Sequence, residues 1–492
     1  MYMQQSINSI PQEGYKTAFK ATALFGGTQF ILIILKVVKS KLLALWLGPA
    51  GIGLMGLFNA AIQLISSISN LGLQSSAVKE IAYAKSQNDE IKIAITVKAI
   101  HRWVLVTGFL GVIITIFMSD YLSQWYFKSS SYTLAFIFLS VVVFFNALNQ
   151  EYLAILQGIR QLTRLIRANL LGALIAFVIS IPLLYFLKEE GIVSALIMTA
   201  FSGAAVSYFY VQKLNLTKVK QTYRDSFRIG LSAVKLGTAM SISGIMVYVV
   251  EFFLRSFILR NGGINDVGLY SAGWAINGQY LGLVFAAMAK DYFPRLSQIV
   301  NKNQEVKQTV NQQGEIALLI LTPLIIIMIV FINIAIKLLY SGQFLMAVPM
   351  VKWLLIGSFI KSGSWGISFV FLAKGDVKTF LFNEIGIKFI TLPSYLLGYY
   401  YYGLLGIGIA FTFNYVIYFI WVAIVARVKY SIVYSKIYLR LFFILLTVLL
   451  SYHITELIFS WNFFLKAFFV IIICGYCLYE FNKRIPLKKL MQ

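Results

Sequence analysis

The chain has 492 residues, of which 59% are hydrophobic and only 12% charged, and its mean hydropathy is +0.80. Soluble domains carry about 25% charged residues, so the composition excludes a soluble protein and defines an integral membrane protein. The net charge of +24 would suggest nucleic acid in a soluble chain, so its distribution has to be read before a partner is inferred.

A helical span needs about 20 apolar residues. Taken in chain order, fourteen stretches meet that length: 21–47, 51–74, 103–118, 132–156, 168–187, 191–211, 230–258, 268–288, 311–336, 346–372, 379–402, 403–426, 441–459 and 462–480. The first twenty residues are polar, and no cleaved signal peptide is expected. The segments that alternate onto one side (1–20, 75–102, 157–167, 212–229, 289–310, 373–378, 427–440 and 481–492) hold 29 of the 42 Lys and Arg residues. The opposite loops hold only Lys128, Lys188, Arg260 and Lys337. By the positive-inside rule this asymmetry predicts that both termini are cytoplasmic, and it accounts for most of the positive charge without nucleic acid. No loop exceeds about 30 residues, too few for a soluble catalytic domain.

The expected fold is an all-α polytopic membrane protein of about 14 transmembrane helices. "AGIGLMGLFNAA" (50–61) and "NDVGLYSAGWAI" (265–276) share a Gly-Leu step, and each opens the second span of a six-span half. The expected organisation is therefore a six-helix N-terminal lobe (1–211), a basic cytoplasmic linker (212–229), a six-helix C-terminal lobe (230–426), and two further helices with a tail (427–492).

Polar residues recur inside these spans. Asn59, Gln63, Ser66, Asn70 and Gln74 lie on one face of the second span. Span seven carries Glu251 and Arg255, span eight Asn277, span ten Ser358 and Lys361, and span eleven Glu384 and Lys388. The first span, "ILIILKVVKSK" (31–41), holds Lys36, Lys39 and Lys41, with Gln29 on the face of Lys36. Interhelical hydrogen bonding explains any one such stripe; several together predict a polar cavity. Glu251 with Arg255 and Glu384 with Lys388 are spaced i,i+4 and can form self-neutralising pairs. Lysines outnumber acids, so the cavity should attract an anion. Lys36, Lys39, Arg255, Lys361 and Lys388 are the expected anion-binding residues, and Gln29, Asn59, Gln63, Asn70 and Asn277 the expected lining. Lys41 and Lys39 can alternatively snorkel to an interface. Glu251 and Glu384 are the candidates for a coupling ion, H⁺ or Na⁺. Neither "CGYC" (474–477), read as packing residues, nor the isolated His101 and His453 suggests a metal site, and no P-loop is present.

"SKLLALWLGPAGIGLMGLFNAAIQL" (40–64), "LGLQSSAVKEIA" (71–82), "YLGLVFAAMAKDYFPRLS" (280–297) and "LIGSFIKSGSWGISFVFLAKGDVKTFLFNE" (355–384) resemble Wzx-type O-antigen flippases. These include the lipid III flippases, within the MOP (multidrug/oligosaccharidyl-lipid/polysaccharide) exporter superfamily. The likeness runs over about the first 430 residues. It implies two six-helix lobes and no enzymatic activity. It also implies alternating-access transfer of an undecaprenyl-diphosphate-linked oligosaccharide between the leaflets of the bacterial inner membrane. The implied partners are membrane lipid, the lipid-linked substrate and polysaccharide polymerase machinery, with the protein itself a monomer and no cofactor beyond a coupling ion. By position, Arg255, Lys361 and Glu384 match a seventh-span basic residue, a tenth-span lysine and an eleventh-span glutamate of the family. Two departures stand out: many relatives have twelve spans, and Ser358 replaces an acid that some of them carry. A drug or cation antiporter of the same superfamily would instead need an acid-dominated cavity. A membrane-embedded transferase or polymerase would need a catalytic cluster and donor-holding loops.

Overall fold

The computed structural model describes residues 12–459 and 461–484, and every regular element among them is helical. The helices are α1 (Gln12–Trp46), α2 (Gly48–Ser69), α3 (Leu73–Ser86), α4 (Glu90–Phe127), α5 (Thr133–Gly158), α6 (Leu162–Leu187), α7 (Gly191–Gln212), α8 (Tyr223–Ile276), α9 (Gly282–Gln298), α10 (Asn303–Leu339), α11 (Val348–Ala373), α12 (Val377–Tyr430), α13 (Lys436–Ile458) and α14 (Phe463–Arg484). Eleven helical stretches are long and apolar enough to cross a membrane. Two of them hold a reversal and so cross twice, and α1 is also long enough to cross. Fourteen crossings result, as the hydropathy pattern predicts; α3 is the helix that does not cross.

The two reversals are made by single glycines instead of loops. Gly263 in α8 (φ 83°) and Gly403 in α12 (φ 56°) adopt left-handed backbone conformations, which glycine reaches without a Cβ penalty. Around Gly403 the two halves of α12 pack antiparallel. Ser394 donates to Asn414 (3.0 Å), Trp421 donates to Asn383 (3.0 Å), and Lys429 donates to Thr379 (2.6 Å). Around Gly263, Arg255 donates to Ser271 across the bend.

The chain forms two compact units. One comprises residues up to 47 with 54–252; the other comprises 48–53 with 253 onward. In the first, α3 presents Leu73, Ala77, Ile81 and Ala84 as one buried stripe. These pack with Ile93, Val97, Ile100 and Val104 of α4 and with Ala147 and Ile155 of α5. That apolar seam makes α3 an amphipathic surface helix. The expected second span to residue 74 stops at Ser69, because Leu71 and Gly72 turn left-handed (φ 48° and 64°). The start of α4 is also longer than its apolar core: Asp89 caps it by accepting from the Lys92 amide (2.9 Å), and Glu90 occupies the first turn.

In the second unit, Tyr292 and Leu296 of α9, Val306 and Val310 of α10, Ile367 and Phe371 of α11, and Tyr418 and Val422 of α12 form the core. The shared Gly-Leu step has a packing cause here. A Cβ on Gly53 would sit 2.2 Å from the Ile264 carbonyl, and one on Gly268 would sit 1.9 Å from the Pro49 carbonyl. Each glycine lets the start of α2 lie against the return half of α8. Helices α13 and α14 belong to this unit. Glu456 of α13 is held by Lys352 of α11 (2.6 Å) and Lys466 of α14 (2.7 Å).

Candidate substrate site

In the second unit, Lys361 lies one turn beyond Ser358 on α11. Its Nζ is 5.3 Å from the ring centroid of Phe285 and 5.6 Å from that of Tyr415. Lys361 forms no ion pair among the described residues. Rings within about 6 Å stabilise a cation through their quadrupole without neutralising it. Trp365, one turn further along, packs on Phe285 (5.6 Å) and Tyr292 (5.6 Å), which fixes the rings. The Ser358 hydroxyl donates to Asn277 Oδ1 (2.9 Å), and both side chains are buried. Asn277 thus acts as a helix-to-helix tie. The Arg255 guanidinium lies over the Tyr270 ring at 5.1 Å and donates to the Ser271 hydroxyl.

The expected Glu384–Lys388 pair is not formed. Glu384 accepts instead from the Tyr418 hydroxyl (2.5 Å), which lies 3.3 Å from the Ser368 hydroxyl. Lys388, half-buried on the next turn, forms no ion pair among the described residues. A tyrosine from the antiparallel half of α12 satisfies the carboxylate better than a neighbour on its own helix, because the hairpin places Tyr418 directly across from it. The sequence signal for this contact was the run Asn414, Tyr415, Tyr418 on one face of the twelfth span.

In the first unit, α1 exposes Gln29 and Lys36, while Lys39 and Lys41 are half-buried. The stripe of the second span divides. Asn59 donates to the Met55 carbonyl of its own helix (2.9 Å), Gln63 is exposed, Asn70 follows the last residue of α2, and Gln74 sits on α3. Glu251 is half-buried on α8. One contact escaped sequence reading altogether: His101 of α4, isolated in the chain, meets Glu151 of α5 (2.9 Å).

At the basic rim between α11 and α12, burial opposes ionisation of Asp376. Hydrogen bonds from Lys429, Tyr430 and Thr379 outweigh it and hold the carboxyl below the usual carboxylate range. Lys374 donates to the Val300 carbonyl and to Asn303 (2.9 Å each), which ties the same rim to the start of α10.

A polytopic helical bundle of this kind, taken with its relatives, defines the class: a membrane transporter, not an enzyme. Residues 42–349 match the family described as "Polysaccharide biosynthesis protein", and the chain belongs to it. It is 27% identical over 329 residues (65% of this chain, 76% of the relative) to a Shigella flexneri protein described as an O-antigen transporter. It is 21% identical over 410 residues (81% and 96%) to the lipid III flippase of Escherichia coli K12. Its fold matches an inward-facing MATE-family transporter of the MOP superfamily (TM-score 0.71, 19% identity, 81% and 94% coverage). It also matches the lipid II flippase MurJ in an inward closed conformation (TM-score 0.65, 14% identity, 94% and 99% coverage).

Proposed function

We propose that this protein flips a lipid-linked oligosaccharide, an undecaprenyl-diphosphate-linked repeat unit of a surface polysaccharide. It does so by alternating access, from the cytoplasmic to the periplasmic leaflet of the bacterial inner membrane. The observation that carries the reading is Lys361, a half-buried lysine bracketed by aromatic rings and unpaired with any carboxylate among the described residues. An intramembrane cation is costly and marks a substrate pathway by default. A diphosphate supplies the missing counter-charge, and lysine suits phosphate as a point charge. In the second unit Arg255 and Lys388 are the further candidate cations; in the first, the candidates nominated by sequence are Lys36 and Lys39 with the amides Gln29 and Gln63.

The chain works as a monomer with both termini cytoplasmic and hands its product to the polysaccharide polymerase machinery. A coupling H⁺ or Na⁺ drives the cycle, with Glu251 and Glu384 as carriers nominated by sequence. A cation antiporter is disfavoured because basic residues outnumber acids in the polar stripes, where an acid-dominated cavity would be needed. The test is complementation of surface polysaccharide in a flippase-deficient strain. A charge-assisted contact contributes about 1.5–3 kcal/mol, so Lys361→Ala should lower transport roughly tenfold or more at normal abundance. Full function of both Lys361→Ala and Arg255→Ala would overturn the mechanism.

A further inference from the structure

We propose that Glu151 and His101 form a proton-binding site inside the first unit, and that this site, instead of Glu251 or Glu384, carries the coupling ion. The inference rests on the transporter reading above.

The Glu151 side chain is fully shielded, with 0% of its surface exposed, while that of His101 is 40% exposed. His101 Nδ1 lies 2.9 Å from one carboxylate oxygen and 3.1 Å from the other. Among the described residues no lysine or arginine pairs with Glu151. A buried carboxylate without a fixed cation is expensive, and imidazole is the side chain that changes charge between about pH 5 and 8. On the far side, Glu151 lines a cavity of about 10 Å³ with Asn70, Gln74, Thr107 and Gln150, room for about one water. The Asn70 Oδ1 atom, also lining this cavity, is buried and has no donor. An acceptor without a donor is what a carboxylate site would leave open for its protonated form.

The surroundings leave the pair to govern its own charge. Lys98 and Arg102, which flank His101 on α4, are both turned to the segment before α8: Lys98 donates to the Val219 carbonyl (2.7 Å), and Arg102 to the Thr222 carbonyl (2.6 Å) and Ser226 hydroxyl (2.7 Å). Tyr152 of α5 stacks on His101 (6.5 Å) and meets Tyr208 of α7 at a tilt (5.4 Å), so the neighbours on that side are two phenol rings. From the α2–α3 turn and α3 the cavity receives the amides Asn70 and Gln74 and the apolar Leu73 and Ala77, and no charged group.

One proton therefore moves as follows. It enters from water onto His101 Nε2. The Nδ1 proton passes to the Glu151 oxygen, leaving a neutral ring that carries its hydrogen on Nε2. The pair goes from net −1 to neutral. The new Glu151 hydroxyl can donate to Asn70 Oδ1, directly or through one water, so that α4 loses its charged tie to α5. Deprotonation reverses each step.

The direct test is an infrared difference spectrum of the purified protein in phospholipid bilayers, between about pH 8 and about pH 5.5, a range that spans the imidazole transition. The expected result is a protonated-carboxyl band that is lost in Glu151→Gln. In His101→Gln, a half-exposed position that tolerates an amide, the same band should persist with its midpoint moved by about one unit or more. A band unchanged in Glu151→Gln, or an unmoved midpoint in His101→Gln, overturns the proposal. These readouts need no substrate, so they stand or fall apart from the flippase reading. Coupling itself is read by complementation across a range of medium pH. Glu151→Gln should lose the wild-type pH response, and retention of that response would refute the coupling role.

Discussion

Two lysines on one helix are treated in opposite ways. Lys352, in the first turns of α11, is clamped by Glu456 at 2.6 Å, and that carboxylate is held a second time by Lys466. Lys361, nine residues on, faces the Phe285 and Tyr415 rings. The first arrangement closes its charges internally and ties three helices together. The second keeps its charge beside aromatic rings, with no ion pair among the described residues, and that is the group the proposed function gives to the substrate.

The contrast is broken most directly at Glu456. Removing one partner from a buried ion pair costs about 3–5 kcal/mol, and Glu456→Gln leaves two lysines unbalanced. It should give the largest fall in thermal midpoint of any single change discussed here, with transport per folded molecule kept. Lys352→Ala should cost less, because Lys466 still serves Glu456. A midpoint that is unchanged in Glu456→Gln would show that the clamp is ornamental.

Lys361→Ala should do the reverse, lowering polysaccharide complementation roughly tenfold while the midpoint moves little. Lys361→Arg, which keeps the charge, should retain most activity. A matched loss of abundance would assign Lys361 to structure and erase the distinction.

Lys36 sharpens the comparison in the first unit. It is exposed and has no ion pair among the described residues. Lys36→Ala should reduce transport by several-fold if the lysine meets substrate, and should be nearly silent if it snorkels to the interface.

The smallest effect is expected at Asp376. Its folded carboxyl titrates below the ordinary value. Its contribution is therefore complete above the unfolded value near pH 4 and lost as pH falls through the lower folded one. Partly exposed pairs contribute about 0.2–1 kcal/mol. Asp376→Asn should lower the midpoint slightly at neutral pH, and the gap to wild type should close in acid; a gap that widens in acid would contradict this sign.

Span number was legible from the sequence because bilayer thickness imposes a length on every apolar run. The positions of the two reversals were legible too, since the span boundaries at 258/268, marked by Arg260, Asn261 and Asp266, and at 402/403 flank Gly263 and Gly403; that a single left-handed glycine makes each turn inside a continuous helix was not. Lys361 stood out as a charge inside an apolar run, yet Phe285 and Tyr415, which decide its environment, come from other helices. Helical spacing allowed Glu384 a pair with Lys388, and the α12 hairpin supplies Tyr418 as its partner instead. The residues 101 and 151 are separated by most of two helices, so only tertiary packing could join them. Local periodicity exposes which residues are polar; the identity of their partners is a property of the bundle.

The clamp on Glu456 also carries a schedule. A ribosome makes Lys352 104 residues before Glu456, and Lys466 comes later still. During synthesis the carboxylate that pairs with Lys352 of α11 is made only with α13, and its second lysine only with α14. Chains cut short before α13 should stall with α11 poorly inserted and should be cleared by membrane proteases.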